Sequence, residues 1–532
     1  MKTKTLGVML DVSRNAVMNM ENLKRFITVL KKMGYNCLFL YAEDTYEVEG
    51  EPYFGYMRGR YTAEEMREMD EFASSIGVEV IPCIQTLAHL TPISRWQQYP
   101  MDTDDILMVD DEKTYELIDN MFKTLSKNFK TKRIHVGMDE AHMLGRGKHL
   151  DKYGYETVDV LMKRHLEKVC EIGDKYGYEI MIWSDMYFRP WNNHEYFIDK
   201  VDMPEEYIKA LPSNVIPVYW DYYSKDPNRY DNMLYNHKQI SNKTWFAGGA
   251  WTWGGFMPHN ACSLQCTPPA IDACKKYKID NIMITLWGDN GAECSKYGVL
   301  PTLFFIAQLV KGNKDMELIK AKFKRMFGLS FEEFLLLDKP NEIAMPENSV
   351  DPVNPCNYML YSDPFVGFLD STVRSGEGKK YTEYAKELRA TAKKSRKYGY
   401  LFNTASTLCD TLADKYELGV KTRAAYKAGD KAELVRLAKE EYTRVEANLK
   451  LFIKAFEKQW LYENKSCGFE VQEYRLGGLL YRIGSCKKQL IAYAEGKIDR
   501  IPELEEEILT FRKDGESIYY NLFRTNITAN VM

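Results

Sequence analysis

The sequence predicts a (β/α)8 TIM barrel (α/β class) followed by an all-α helical C-terminal domain, and two patterns support this prediction. From its start to about residue 310, short apolar or β-branched runs alternate eight times with amphipathic helical stretches. Near-continuous apolar strands that alternate with helices indicate parallel strands buried on both faces. Eight such units, without a glycine-rich phosphate loop or a sheet-edge strand, favour a closed barrel over an open doubly wound sheet.

The predicted strands are short and mainly apolar. In chain order they are LGVMLDV (6–12), CLFLYAE (37–43), EVIPCIQTL (79–87), RIHVGMDE (133–140), IMIWSDM (180–186), IPVYWDYY (216–223), TWFAGGAW (244–251) and NIMITLWG (281–288). The intervening stretches carry helix signals. One of them begins at Thr62 with Glu65 three residues later, a capping-box pattern, and ends at Gly77.

We expect three regions: the barrel over residues 1–311, an irregular linker over 312–377 and a helical domain over 378–532. The linker prediction rests on four prolines, which are Pro340, Pro346, Pro352 and Pro355. After residue 378, apolar side chains recur at three- and four-residue spacings with charges between them. This pattern is typical of antiparallel helices in a bundle.

Composition excludes several classes of protein. With 45% hydrophobic and 28% charged residues, the 532-residue chain is neither disordered nor fibrous. A net charge of −4 argues against nucleic acid or an anionic membrane as a partner. The longest apolar runs are too short for a membrane span or a signal segment. The 11 cysteines form no CxxC pair, so we expect free thiols in a reducing compartment. Together with the short N-terminal apolar run, this indicates a cytoplasmic location. We also expect no metal and no cofactor.

Polar and aromatic side chains gather where the predicted strands end. Catalytic residues of such barrels lie at the C-terminal ends of the strands. Those ends carry Asp11 and Arg14, Glu43 and Asp44, Gln85 and His89, Asp139 and Glu140, Trp183 and Asp185, Trp220, Asp221 and Tyr222, Trp251 and Trp253, and Trp287 and Asp289. Carboxylates, an arginine, a histidine and several tryptophans at one relative position indicate a single site at this face of the barrel.

The central feature of that site is the pair Asp139 and Glu140. Neighbouring residues of an extended strand point to opposite faces, so both can face one pocket only where the strand ends. Two adjacent carboxylates repel each other, and burial raises the pKa of the less solvated one. One can then be a protonated acid while the other stays charged, as cleavage of a glycosidic bond requires.

Residues 135–140, HVGMDE, match the His/Asn-x-Gly-x-Asp-Glu signature of glycoside hydrolase family 20, the β-N-acetylhexosaminidases. DVSRNA, PCIQTLAHL and LWGD resemble the first, third and eighth strands of that family, in the right order. The resemblance covers roughly residues 5 to 310. It is greatest to bacterial members of cytoplasmic type that share FGYMRGRY, GMDEAH and YWDYY and have a helical C-terminal domain.

The resemblance implies a retaining exo-β-N-acetylhexosaminidase that acts on terminal N-acetylglucosamine or N-acetylgalactosamine of a small oligosaccharide through an oxazolinium intermediate. Glu140 would be the general acid and base, and Asp139 would orient the 2-acetamido group. Arg14 would bind O3 and O4, and Asp289 would bind O4 or O6, where the family commonly has the longer Glu. The other implied substrate-binding residues are His89, His135, Trp183, Trp220, Tyr222, Trp253 and Trp287, with Tyr219 and Tyr223 as alternatives to Tyr222.

Other interpretations stay open. Asp185 or Glu293 could serve as a conventional nucleophile, the barrel could bind carbohydrate without cleaving it, or residues 378–532 could form an interaction module. A homodimer is also an open expectation. The segment 460–482 is unusually rich in glycine, arginine and aromatic residues. It is interpreted either as a tight turn at Gly468 with close packing at Gly477 and Gly478, or as a segment that abuts the barrel mouth or a second protomer.

Overall fold

The computed structural model describes residues 3–343, 345, 351–511 and 523–530. Eight parallel strands form a closed barrel in sequence order, and β1 pairs with β8 to complete it. This confirms the predicted fold class. The strands are β1 (Thr5–Asp11), β2 (Cys37–Tyr41), β3 (Glu79–Cys83), β4 (Arg133–His135), β5 (Glu179–Trp183), β6 (Ile216–Trp220), β7 (Trp245–Gly249) and β8 (Asn281–Leu286).

Helices surround the barrel and continue beyond it. In chain order they are α1 (Met20–Met33), α2 (Ala63–Ser75), α3 (Thr91–Ser94), α4 (Glu112–Asn128), α5 (Lys148–Tyr153), α6 (Val158–Tyr176), α7 (Asp185–Phe188), α8 (Glu205–Ala210), α9 (Pro227–Ile240), α10 (Asn260–Lys276), α11 (Leu300–Val310), α12 (Met316–Phe327), α13 (Phe331–Leu335), α14 (Pro355–Tyr361), α15 (Gly378–Ala392), α16 (Gly399–Lys415), α17 (Leu418–Lys427), α18 (Lys431–Lys439), α19 (Glu441–Glu463), α20 (Phe469–Ala494), α21 (Pro502–Glu505) and α22 (Phe523–Asn526). Short 3-10 helices lie at Lys296–Val299, Leu336–Asn341 and Asp370–Thr372.

Local sequence explains where these helices begin and end. The Thr62 side chain accepts a hydrogen bond from the Glu65 backbone N–H, and the Glu65 carboxylate accepts one from the Thr62 backbone N–H, so the predicted capping box is present at the start of α2. Helix α1 ends at Gly34 in the left-handed conformation, which glycine adopts without a steric penalty.

The strands are buried on both faces, as parallel strands with flanking helices must be. On β1, Met9 belongs to the cluster inside the barrel, whereas Val8 and Leu10 pack in the outer cluster with helix residues. This alternation repeats round the barrel. Because all eight strands run parallel, their C-terminal ends and the loops that follow surround one opening.

The stretch 312–377 differs from the irregular linker that the sequence predicts. It contains the helices α12, α13 and α14. Ile319, Phe323 and Phe327 recur every fourth residue and are buried against the barrel helices, so the helical spacing outweighs the prolines as a signal. Pro346 lies outside the described residues. The division of the chain at residues 311 and 378 stays a prediction.

Helix α15 begins the long antiparallel helices that follow, of which α15 with α16 and α16 with α19 are the main neighbours. The hydrophobic core runs without a break from Leu6 to Leu504 and joins the barrel helices to this helical region. Within the part of the chain that the structure describes, no helix is both long and apolar enough to cross a membrane.

Candidate active site

A pocket of about 490 Å³ opens at the C-terminal ends of the barrel strands. Its lining combines carboxylates, a guanidinium group, an imidazole ring and aromatic rings. These residues are Arg14, Tyr41, His89, Asp139, Glu140, Trp183, Trp220, Tyr222, Tyr223, Trp253, Trp287 and Asp289.

Asp139 and Glu140 share this pocket because the chain leaves the strand before them. Strand β4 ends at His135, and Gly137, Met138 and Glu140 have positive φ angles of 72°, 72° and 51°. Such angles are costly for residues with side chains and persist at sites that the surroundings hold in place. The turn replaces the alternation of a strand, so both carboxylates face one cavity.

Contacts from neighbouring strands hold the pair. The Gln85 side-chain amide donates to Asp139 Oδ1 at 2.7 Å, and its oxygen accepts from the Met138 backbone N–H at 3.1 Å. Asp185, which is fully buried, accepts from the Glu140 backbone N–H at 3.0 Å. Asp139 is therefore held through its side chain, and Glu140 is held through its backbone.

His89 lies between the two acids. Its Nε2 is 3.3 Å from Asp139 Oδ2 and 3.8 Å from Glu140 Oε2. Burial is the largest single influence and disfavours the imidazolium ion, but the charge and hydrogen bond of Asp139 and the charge of Glu43 together raise the pKa of His89 to about 10. Burial also opposes ionisation of Asp139, yet His89 and Gln85 hold the pKa of that carboxyl below its usual value.

Glu140 titrates in the opposite direction. Desolvation by the pocket walls, together with the charges of Asp139 and Asp185, raises its pKa to about 7. About 44% of its side-chain surface remains open to the pocket, so a ligand can reach it. Near neutral pH the acid pair therefore consists of one ionised carboxylate, Asp139, and one carboxyl that can carry a proton, Glu140.

A chain of polar contacts links this pair to the other end of the pocket. From Asp139 it runs through Gln85 to the Tyr41 hydroxyl at 3.0 Å, and Tyr41 donates to Glu43 at 3.1 Å. Glu43 pairs with Arg14 at 2.8 Å. Arg14 in turn lies 3.6 Å from Asp289. The charged end and the acid pair are thus parts of one connected network.

Aromatic rings form the opposite wall. Tyr222 stacks on Trp220 with ring centres 5.5 Å apart, and it meets Trp253 edge-on at 5.7 Å and Trp287 at 6.4 Å. Trp183 lies 6.0 Å from Trp287. Flat apolar faces with few polar atoms suit the apolar face of a sugar ring or an acetyl group.

Three buried side-chain nitrogen atoms of this pocket have no hydrogen-bond partner within the described structure. They are Arg14 Nε, Trp183 Nε1 and His89 Nε2, and the last of these lies within ion-pair distance of Asp139. Buried polar groups are normally satisfied, so an oxygen-rich ligand would supply the missing acceptors. A sugar is such a ligand.

Of the site residues predicted from the sequence, the structure brings all but His135 into the pocket lining. His135 is fully buried, its Nδ1 accepts from the Gly137 N–H at 3.1 Å, and its ring packs 4.3 Å from that of Trp183. Burial lowers its pKa to about 3. It therefore supports the turn and the aromatic wall from behind. The prediction that His135 contacts substrate is wrong, because its ring is buried behind the pocket lining.

Two tyrosines need separate mention. Tyr41 lines the pocket although the sequence does not single it out; its position as the last residue of β2 is the signal that could have found it. Of the alternatives to Tyr222, Tyr223 lies in the pocket lining. Tyr219 is buried outside that lining, where it donates to Asp221 at 3.2 Å.

The two alternative nucleophiles lie outside the lining. Asp185 sits behind Glu140 and pairs with Arg189 at 3.2 Å. Glu293 is buried against the helical region, where Arg475 pairs with it at 3.1 Å and Tyr361 donates to it at 3.3 Å. Each carboxylate therefore already forms an ion pair with an arginine of the protein.

A separate cluster has the spacing of metal ligands. Asp110, His149 and Glu156 place one ligand atom each within 4.8 Å of one another, and none of them lines the pocket. Arg164 pairs with the carboxylates of both Asp110 and Glu156, the latter at 2.7 Å. The guanidinium group of Arg164 therefore already supplies a positive charge to the carboxylates of this cluster.

Two family models match the chain. The catalytic domain of glycosyl hydrolase family 20 matches residues 6–237, and the glycoside hydrolase 20C C-terminal domain matches residues 332–520. Among curated proteins, hexosaminidase D from Bos taurus is 24% identical over 251 residues, 43% of this chain. The Homo sapiens protein of the same name is 22% identical over 221 residues, 38% of this chain. The chain spans 65% and 41% of the length of these two relatives.

Solved structures to which this chain is similar include the GH20 exo-β-N-acetylglucosaminidase from Vibrio harveyi in complex with N-acetylglucosamine. It is 16% identical with a TM-score of 0.47, over 63% of this chain and 59% of that one. The Streptomyces plicatus N-acetyl-β-hexosaminidase in complex with Thio-NAglucal is 17% identical with a TM-score of 0.44, over 62% and 69% of the two chains.

Proposed function

Because this chain belongs to glycoside hydrolase family 20, we propose that it is a retaining exo-β-N-acetylhexosaminidase. Its substrates would be small oligosaccharides with a terminal, non-reducing, β-linked N-acetylglucosamine or N-acetylgalactosamine. The observation that carries the proposal is the Asp139–Glu140 pair, whose two pKa values are shifted in opposite directions inside one aromatic-walled pocket. That division of protonation is what glycosidic cleavage needs.

Glu140 is the general acid in this mechanism. A pKa near 7 leaves it partly protonated at neutral pH, so it can give its proton to the leaving oxygen as the bond from that oxygen to the anomeric carbon breaks. The resulting carboxylate then takes a proton from water, and this water attacks the anomeric carbon. Two displacements at that carbon retain the β configuration.

The substrate itself supplies the nucleophile. Its 2-acetamido oxygen bonds to the anomeric carbon as the leaving group departs, which gives an oxazolinium intermediate. When water attacks the anomeric carbon, the bond from that carbon to the acetamido oxygen breaks and the acetamido group is restored. Asp139, held ionised by His89 and Gln85, would accept the acetamido N–H and stabilise the positive charge. Tyr222 would donate to the acetamido oxygen, with Tyr223 as the alternative in the lining. The tryptophan wall would hold the acetyl group and keep water from the intermediate.

Arg14 and Asp289 would bind the hydroxyl groups of the terminal sugar. They lie 3.6 Å apart in the lining, and Arg14 keeps Nε free of protein partners among the described residues. A guanidinium group and a carboxylate side by side offer both donors and acceptors, which suits vicinal hydroxyl groups. Exo-action follows if this end of the pocket holds the non-reducing sugar.

A glycosidase with a protein nucleophile is less well supported, because Asp185 and Glu293 lie outside the lining and are engaged elsewhere. A barrel that only binds carbohydrate would not need an acid whose pKa is raised to about 7. We also propose a cytoplasmic location, which the 11 free cysteines support. A homodimer stays a prediction.

The proposal is tested by release of nitrophenol from four β-glycosides, those of N-acetylglucosamine, N-acetylgalactosamine, glucose and galactose. We expect turnover of the two N-acetyl substrates alone. The variant Glu140→Gln keeps the size of the side chain but can neither donate a proton to the leaving group nor take one from the attacking water. Its rate should therefore fall by roughly 10²- to 10⁴-fold.

Cleavage of the plain glucoside or galactoside would show that a protein nucleophile exists and would refute the substrate-assisted mechanism. Absence of turnover with all four glycosides would contradict the proposed activity. Retained turnover in Glu140→Gln would remove Glu140 from the role of acid.

A further inference from the structure

Arg14 and Asp289 come from loops at opposite ends of the barrel sequence. Arg14 follows β1, and Asp289 follows β8. After Asp289, the residues Asn290, Gly291 and Ala292 have φ angles of 62°, 107° and 54°. Three consecutive positive angles, two of them in residues with side chains, are unfavourable unless outside contacts fix them.

Helix α20 supplies those contacts to the loop that carries Asp289. Arg475 donates to the Asn290 carbonyl at 2.8 Å, and Gln472 donates to the Gly291 carbonyl at 3.1 Å. Arg475 also pairs with Glu293 at 3.1 Å. Gln472 is fully buried, and only 15% of the Arg475 side chain is exposed. Two side chains of one helix thus bind successive carbonyl groups of the strained loop.

The turn between α19 and α20 holds the loop that carries Arg14. The Lys465 N–H donates to the Val17 carbonyl at 2.8 Å, and the Asn19 N–H donates to the Glu463 carbonyl at 3.1 Å. Gly468 has a φ of +93°, and a Cβ atom there would lie 2.3 Å from the Asn15 carbonyl oxygen. The turn at Gly468 and the contact with the barrel mouth are as predicted. Close packing at Gly477 and Gly478 is wrong, because nothing lies within 4 Å of their Cβ positions.

We propose that the α19–α20 hairpin (residues 441–494) positions the sugar-binding residues of the site, with Arg475 and Gln472 as positioning residues. The hairpin holds both loops that meet at the Arg14–Asp289 pair, so it sets the separation of the two groups that would bind the sugar hydroxyls. This inference rests on the proposed function and gives the helical region a role in it. A shift of about 1 Å at such a pair can cost roughly 100-fold in catalysis.

The test compares two arginine variants of the same helix. Arg475→Ala should raise KM for the nitrophenyl N-acetylglucosaminide by roughly 10- to 100-fold, with a smaller change in kcat, since it displaces a binding group and leaves Glu140 in place. Added methylguanidine should restore part of the loss by filling the vacated space. The ratio of rates with the N-acetylglucosamine and N-acetylgalactosamine substrates should also move toward one, because O4 is held less firmly.

Arg482→Ala is the matched control. Arg482 also lies on α20 and pairs with the largely buried Asp363, at 2.6 and 3.1 Å, within the helical region. We expect it to lower the melting temperature without changing KM. If Arg475→Ala lowers the melting temperature to a similar extent and leaves KM and the substrate ratio unchanged, the hairpin is only structural support and the inference is overturned.

Two further measurements keep the test decisive. If Arg475→Ala does not fold, Gln472→Leu takes its place, because it removes only the hydrogen bond to the Gly291 carbonyl. Gln472→Leu should also raise KM. An unchanged KM would contradict the inference. If the wild-type protein cleaves none of the glycosides, the proposed function has failed. The hairpin is then tested by calorimetric binding of N-acetylglucosamine, and equal affinity of wild type and Arg475→Ala, or no binding by either, would overturn it.

Discussion

Asp139 and Glu140 are neighbours in the chain but differ in their surroundings. Asp139 is buried beside His89 and receives a hydrogen bond from Gln85, so its charged form is favoured. Glu140 loses much of its hydration in the pocket and lies near two carboxylates, Asp139 and Asp185, so its neutral form is favoured. At the scale of single residues, Asp139 and Glu140 therefore favour opposite protonation states because their carboxyl groups have different neighbours.

The pH dependence of the reaction should report this arrangement. A raised pKa keeps Glu140 protonated below about pH 7, so kcat/KM should fall as the pH rises through that value and the acid is lost. In Asp185→Asn, a nearby negative charge is removed while an oxygen remains to accept the Glu140 N–H. The fall should then begin at lower pH, by up to about one unit.

The measurement is kcat/KM for the N-acetylglucosamine substrate across pH 5 to 9, with wild type, Asp185→Asn and Glu140→Gln. An alkaline fall at the same pH in wild type and Asp185→Asn would show that Asp185 does not control the acid. The same fall in Glu140→Gln would assign it to another group.

At the scale of one element, the turn after β4 creates the site. Gly137 has a positive φ, and a Cβ atom there would lie 2.0 Å from the Gln85 side-chain oxygen, which binds Met138. The close approach lets Gln85 reach both the turn and Asp139. Only glycine fits this position without moving the residue that orients the acid pair.

We therefore expect Gly137→Ala to reduce both stability and activity. Left-handed strain alone costs about 1–3 kcal/mol, and displacement of Gln85 adds to that cost. The matched control is Gly177→Ala at the end of α6, where φ is 70°, close to the 72° of Gly137, but nothing lies within 4 Å of the Cβ position. It should lose stability without losing activity, as measured by denaturant unfolding and nitrophenol release. Equal effects of the two variants would contradict this account of Gly137.

At the scale of the whole molecule, the barrel and the helical region share one core. Phe256, in the loop after β7, packs edge-on against Phe452 at 5.2 Å and Phe456 at 5.4 Å, both from α19. The buried cluster is continuous across this contact. An interface that resembles a protein interior couples the two regions, unlike the smaller and more polar interfaces between independently moving domains.

This coupling predicts a single cooperative thermal transition for the full chain in calorimetry. Phe256→Ala should destabilise the molecule by about 3–5 kcal/mol, because a fully buried aromatic side chain is lost. The single transition should then move as a whole to lower temperature. Two separate transitions, with only one of them shifted in the variant, would show that the regions unfold independently.

The sequence by itself determined the barrel, the position of the acid pair and most of the pocket lining. These features follow from local patterns: apolar runs of strand length, helix-end residues, and the rule that parallel strands bring their C-terminal ends to one face. Thr62 with Glu65 and the residues after β4 are examples in which a few neighbours decide the structure.

Only the tertiary structure decided which strand-end residues face the ligand and which stand behind them. His135 and Asp185 lie close in sequence to pocket residues, yet one supports the turn and the other anchors Glu140. The contacts of Arg475 with Asn290 and Glu293 join residues more than 180 positions apart. No local pattern encodes such contacts, because they depend on how distant elements pack against each other. For the same reason, the sequence located the segment at 460–482 but not the loop that it holds.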